Sequence, residues 1–182
     1  MNSLGQVYLE SVIKRMLTYK YLGDKTFEQL EEKDFHFTPN EGSNSIAIII
    51  QHMSGNMLSR WTNFLTEDGE KEWRSRDGEF NPQNFDKAQL LELWAKGWNC
   101  LLDTLKSLQE ADLLKTIYIR HEPLSAIDAI NRQLAHYPHH VGQIVYIGKM
   151  IRNTDWQSLS ISKGQSDAFN KQMQDAQQKE PR

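Results

Sequence analysis

The chain has 182 residues, 38% hydrophobic and 25% charged, with a formal net charge of -3. That is enough chain for one soluble domain with its own core, and too little positive charge for nucleic acid or an anionic membrane surface. Cys100 is the only cysteine, so no intrachain disulfide forms and stability does not depend on an oxidising compartment.

The N-terminus has no basic stretch followed by an apolar run and a cleavage site. The longest apolar run, residues 46–50, is far shorter than the roughly 20 residues a membrane span needs. The expectation is a cytoplasmic protein with no membrane partner.

A first helix is predicted over residues 3–21. Ser3 and Gln6 have capping-box spacing, and Leu9, Val12, Ile13, Met16 and Leu17 recur at helical spacing. Gly23 or Asp24 is read as its end. The following stretch holds Pro39, Asn40 and Gly42 and reads as a long connection.

A second helix is predicted over residues 43–65. The run at 46–50 alone would suit a strand, because β-branched residues favour one. The apolar spacing continues through Met53, Met57 and Trp61, which argues for helix. A polar, Trp-containing loop follows over residues 66–85.

The third helix has the clearest start, with Asp86 and Gln89 as a capping box. Leu90, Leu93, Trp94, Trp98, Leu101, Leu105 and Leu108 form its apolar face. Residues 114–122 alternate in part and read as extended, and Pro123 blocks helix at His121 and Glu122.

The fourth helix is predicted over residues 125–152, opened by Ser125 and Asp128. Ile130, Leu134, Tyr137, Val141 and Ile144 mark its buried side. The tail, residues 166–182, is polar and Gln-rich, with little to bury. Four amphipathic helices in a domain of residues 1–165 predict an all-α fold, most simply a four-helix bundle.

The fourth helix also carries His136, Pro138, His139 and His140. Residues four apart lie on one helix face, so His136 and His140 can converge on one ion. His139 points to the edge of that face, whereas Arg132 and Gln143 share it. Pro138 removes an N–H between the two histidines, and a bend there is expected. The third ligand would come from another helix, and His52 is the candidate, set among apolar residues. His36 and His121 lie in predicted loops. Three neutral imidazoles suit Zn, Ni or Fe(II), and three protein ligands leave positions open, as catalytic sites do. The alternative is a solvent-facing cluster, with Tyr137 packed inward.

The run His136-x3-His140-Val141-Gly142-Gln143-Ile144 resembles the last-helix motif of the DinB/YfiT-like superfamily. Gln51-His52-Met53-Ser54-Gly55-Asn56 matches the position where that family carries its third histidine. The segments Trp73-Arg74-Ser75-Arg76-Asp77-Gly78-Glu79-Phe80 and Trp156-Gln157-Ser158-Leu159-Ser160-Ile161-Ser162-Lys163-Gly164 resemble a branch with no assigned function. The resemblance covers about residues 1–170.

It implies a DinB-like four-helix bundle, often homodimeric, with His52, His136 and His140 around a divalent metal. Its best understood members use low-molecular-weight thiols such as bacillithiol or mycothiol. The reading that follows is a metal-dependent enzyme acting on a small molecule, with thiol S-transfer as first choice. Gln143 and Arg132 would orient the ligands or bind the cosubstrate. The alternatives are a metal-dependent hydrolase and a non-catalytic metal-binding or interaction protein. No helix-borne acid is placed beside the histidines. Asp77 and Glu79 in the long loop are within reach only if that loop folds back.

Overall fold

The computed structural model describes residues 3–179. Residues 180–182 of the predicted tail and the first two residues lie outside the described residues. The described chain is mostly helical, as expected, with one small hairpin. Four long helices carry the core: α1 (Leu4–Phe27), α3 (Ile46–Trp61), α4 (Lys87–Ser107) and α5 (Ala126–Arg152). A short α2 (Glu32–Phe35) lies in the first connection, and α6 (Ser166–Lys179) ends the described chain. The closest partners are α3 with α4 and α1 with α5; α1 also meets α4, and α3 also meets α5.

The helix starts follow the capping signals. Ser3 with Gln6 and Asp86 with Gln89 form reciprocal capping boxes. The Ser125 hydroxyl accepts from the Asp128 N–H. The second start is corrected: Ser45, two residues later than the expected 43, caps α3. The end of α1 is also corrected, because the helix runs past Gly23 and Asp24 to Phe27. A Cβ at Gly23 would collide with the Trp94 ring. Asp24 accepts from the Trp94 Nε1–H at 2.7 Å. Both residues serve the close approach of α1 to α4 rather than helix termination.

Helix α3 is buried almost all round, which is why its sequence lacks a polar stripe. Its buried polar residues are the informative ones: Gln51, His52, Ser54, Asn56, Ser59 and Arg60 all lie inside. Trp61, Trp98 and Tyr137 are among the largest fully buried side chains. Helix α5 continues through Pro138 without a break.

The extended segment becomes a hairpin of β1 (Thr116–Ile119) and β2 (Glu122–Ser125), antiparallel, with Ile117 opposite Leu124. Its turn places Arg120 at φ 56° and His121 at φ 64°, a left-handed pair that suits a two-residue hairpin. Asp68 holds that turn: its carboxylate accepts from both backbone N–H groups at 2.8 Å. The tail is helical in α6 and stays exposed through residue 178. Among the described residues, no helix is long and apolar enough to cross a membrane.

Candidate metal centre

The i, i+4 pair on α5 meets the buried histidine of α3. One nitrogen from each of His52, His136 and His140 lies within 4.8 Å of the others, a group that could hold a metal ion. The His136 and His140 Nε2 atoms are 3.0 Å apart. Tyr137 fixes the two helices in this relation. Its hydroxyl donates to Asn56 Oδ1 and accepts from Trp61 Nε1, each at 3.0 Å. Tyr137 therefore packs inward as the solvent-facing alternative required, but His136 and His140 are half-buried beside it rather than turned to solvent.

The second nitrogen of each ring has an acceptor. His52 Nδ1 meets Glu79 Oε2 at 3.0 Å, His136 Nδ1 meets Gln133 Oε1 at 3.2 Å, and His140 Nδ1 meets Gln143 Oε1 at 2.8 Å. An acceptor at Nδ1 places the proton there and leaves the lone pair on Nε2. Two such lone pairs facing each other at 3.0 Å repel unless a cation or a proton lies between them. A shared proton would create a half-buried imidazolium or break one of the glutamine hydrogen bonds. A divalent metal satisfies all three nitrogens, so the donor set fits one.

Burial pushes the His136 imidazole down to about 3, assisted by His140, His52, His139 and Arg60. Burial also lowers His140, by more than its Gln143 hydrogen bond raises it. The sign for the metal-free protein follows. Above an unfolded pKa of 6.5, His136 is neutral in both states and costs nothing. Below it, the unfolded chain takes up a proton that the folded chain refuses, so stability falls as pH drops from 6.5 toward about 3. Urea unfolding in chelator at pH 7.5, 6.5 and 5.5 is expected to show that decline, and His136→Gln to flatten it. An unchanged slope in the variant would contradict this role of burial.

The long loop folds back over α3 and delivers Glu79 from a 3-10 turn, Asp77–Phe80. Two features bring the carboxylate in. Gly55, three residues after His52, has no Cβ, and one would run into the Glu79 carboxylate. Arg74 grips Glu79 in a two-point pair, Nε to Oε1 at 2.7 Å and Nη2 to Oε2 at 2.9 Å. Burial alone would raise the Glu79 carboxyl, but Arg74 and His52 more than offset it and hold it below the usual range. Glu79 is therefore an ionised acceptor that orients His52, as carboxylates behind metal-bound histidines do. Asp77 of the same turn is exposed and pairs with Arg76 at 3.3 Å.

The remaining candidates separate. Gln143 stands behind His140. Arg132 lines a cavity of about 280 Å³ that also touches His52, His136, Asn56 and Gln133. His36 bonds the Phe85 carbonyl at 2.9 Å, and His121 and His139 are exposed. Cys100 is half-buried against the Thr62 hydroxyl at 3.7 Å. Sequence reasoning missed Gln133, although it lies three residues before His136 as Gln143 lies three after His140. It also missed Arg60 and Arg74, for which local spacing carries no signal.

No curated protein matches the chain. A family model described as Protein of unknown function (DUF1572) matches residues 3–165.

Proposed function

We propose that this chain, which belongs to the DUF1572 family, a DinB-like family of unknown function, is a metal-dependent enzyme that acts on a small molecule. The reading is carried by one observation: three imidazoles converge within 4.8 Å, and each has its other nitrogen held by an acceptor. His52, His136 and His140 would hold one divalent ion, Zn, Ni or Fe, in a DinB-like four-helix bundle within residues 1–165. When bound, such an ion lowers the pKa of a thiol or water at its open position.

The chain's own residues support the rest. Glu79, Gln133 and Gln143 fix the ring orientations. Arg74 keeps Glu79 ionised. The adjoining cavity of about 280 Å³ is of small-molecule size. Cys100 faces Thr62, so a transferred sulfur is expected to come from a cosubstrate, a low-molecular-weight thiol such as bacillithiol. Arg132, at the cavity, and Gln143, behind His140, would orient it.

The test is turnover by the full chain loaded with zinc, nickel or iron(II), using bacillithiol and a chlorinated aromatic electrophile. Transfer that needs both thiol and metal, and that disappears in His52→Ala, is the expected result. A chain that keeps its metal and transfers no thiol with any of the three ions would contradict S-transfer.

A further inference from the structure

The cavity beside His52 and His136 has an unusual wall. Five arginines line it, Arg60, Arg74, Arg76, Arg120 and Arg132, and no carboxylate does. This occurs in a chain whose net charge is -3. Arg60 and Arg74 also brace the loop behind the cavity, whereas the side chains of Arg76, Arg120 and Arg132 are about half-exposed at its rim.

The half-buried acids behind the wall are shared among its guanidinium groups. The Glu70 carboxylate is shared by Arg60 at 3.0 Å, Arg120 at 3.1 Å and Arg74 at 3.4 Å. Glu79 serves Arg74 and His52 together. Three guanidinium groups thus share two carboxylates as their ion-pair partners. Asp68 is engaged by the backbone N–H groups of the hairpin turn. Among the described residues, the acids paired with Arg76 and Arg132 are exposed, Asp77 at 3.3 Å and Glu122 at 3.6 Å, and solvent weakens such pairs. A guanidinium has five N–H donors, and its planar fork matches a carboxylate or phosphate.

The five also differ in freedom. The side chains of Arg60 and Arg74 are buried and fixed, Arg60 by the Gly69 carbonyl and Glu70, Arg74 by Glu79 and Glu70. Arg120 and Arg132 are 53% and 50% exposed, and they approach from two elements, the hairpin turn and α5. The turn holds Arg120 in a left-handed conformation that non-glycine residues adopt at a cost, and Asp68 stabilises it there.

We propose that this cavity binds the anionic group, a carboxylate or a phosphate, of the small molecule whose reacting end lies at the histidines. Arg120 and Arg132 are its adjustable contacts, and Arg60 and Arg74 its fixed wall. The placement of the reacting end rests on the enzymatic reading above; the anion site itself does not require the metal. An uncharged analogue of the same size gives the guanidinium forks that line the cavity no anionic partner and is rejected.

The test is titration of the full chain, zinc-loaded and zinc-free, with inorganic phosphate, with succinate and with neutral succinamide, followed by calorimetry. Saturable binding of phosphate or succinate, weakened by salt and absent for succinamide, is expected, and the tighter of the two identifies the anion class. Arg120→Gln and Arg132→Gln each bind that anion about tenfold more weakly, with zinc content unchanged. Both positions are half-exposed, and circular dichroism checks that the variants fold. Failure of both anions to bind saturably, or binding in both variants as tight as in the parent, overturns the proposal. Anion binding without any zinc uptake sinks the metal reading and leaves the anion site standing. Zinc uptake with no anion binding does the reverse.

Discussion

His136→Ala is expected to weaken divalent-metal binding by more than about a hundredfold. The loss of an outer partner behind a metal ligand already lowers affinity by about 10- to 100-fold, and His136 is placed as a ligand itself. Its Nε2 stands 3.0 Å from that of His140, and the remaining nitrogens of His52 and His140 cannot close a three-ligand site alone. The side chain is half-buried on the surface of α5 next to the cavity, so its loss leaves the Tyr137 anchor intact. The same change removes a group that resists protonation, so the metal-free variant is expected to fold at least as well as the parent at pH 6. Competition against a chromogenic chelator measures the affinity, and unchanged affinity would remove His136 from the site.

Arg74→Ala is expected to destabilise the protein by about 3–5 kcal/mol, the cost of leaving one member of a buried ion pair alone. The Arg74 side chain is 2% exposed and that of Glu79 is 10% exposed, so solvent screens this pair little. The pH dependence identifies the cause. In the parent, Glu79 is held below its ordinary 4.5, which stabilises the fold above that pH and is lost as pH falls through the lowered value. Without Arg74, burial dominates and Glu79 rises above 4.5. The penalty of the variant is then largest at neutral pH and shrinks as the solution is acidified and the carboxyl protonates. Metal affinity is expected to fall by about 10- to 100-fold as His52 loses a well-placed acceptor. Urea unfolding at pH 7.5 and 5.0 checks both sign and size; a penalty below about 1 kcal/mol at pH 7.5, as for an exposed pair, would contradict this account of the loop.

Both expectations depend on features that differ in how readable they are from sequence. The His136 and His140 pair is local: four residues on one helix suffice to place both side chains on one face. The helix starts are local too, because Ser3, Asp86 and Ser125 act on backbone groups within three residues. His52 is different. Its helix was legible, but its pairing with α5 depends on the packing of two helices, and the family resemblance supplied that link.

Glu79 can be named from the sequence as within reach if its loop folds back, but neither kind of argument places it. Its approach to His52 needs the missing Cβ of Gly55, the Arg74 grip and the Glu70 cluster together. None of these follows from periodicity. Gly23 misled for a related reason: a glycine near a helix end reads as a stop, whereas here it makes room for Trp94 on another helix. The hairpin turn shows the same limit. Arg120 and His121 lack the Asn-Gly signature of such turns, and Asp68, far away in sequence, stabilises their conformation.

The most direct test of the three-histidine centre is X-ray absorption at the zinc edge of the zinc-loaded full chain. The expected spectrum has imidazole nitrogen scatterers at about 2.0–2.1 Å, with their number reduced in His136→Ala. A protein that takes up no zinc, or a shell of sulfur or of oxygen alone that is the same in parent and variant, would contradict it.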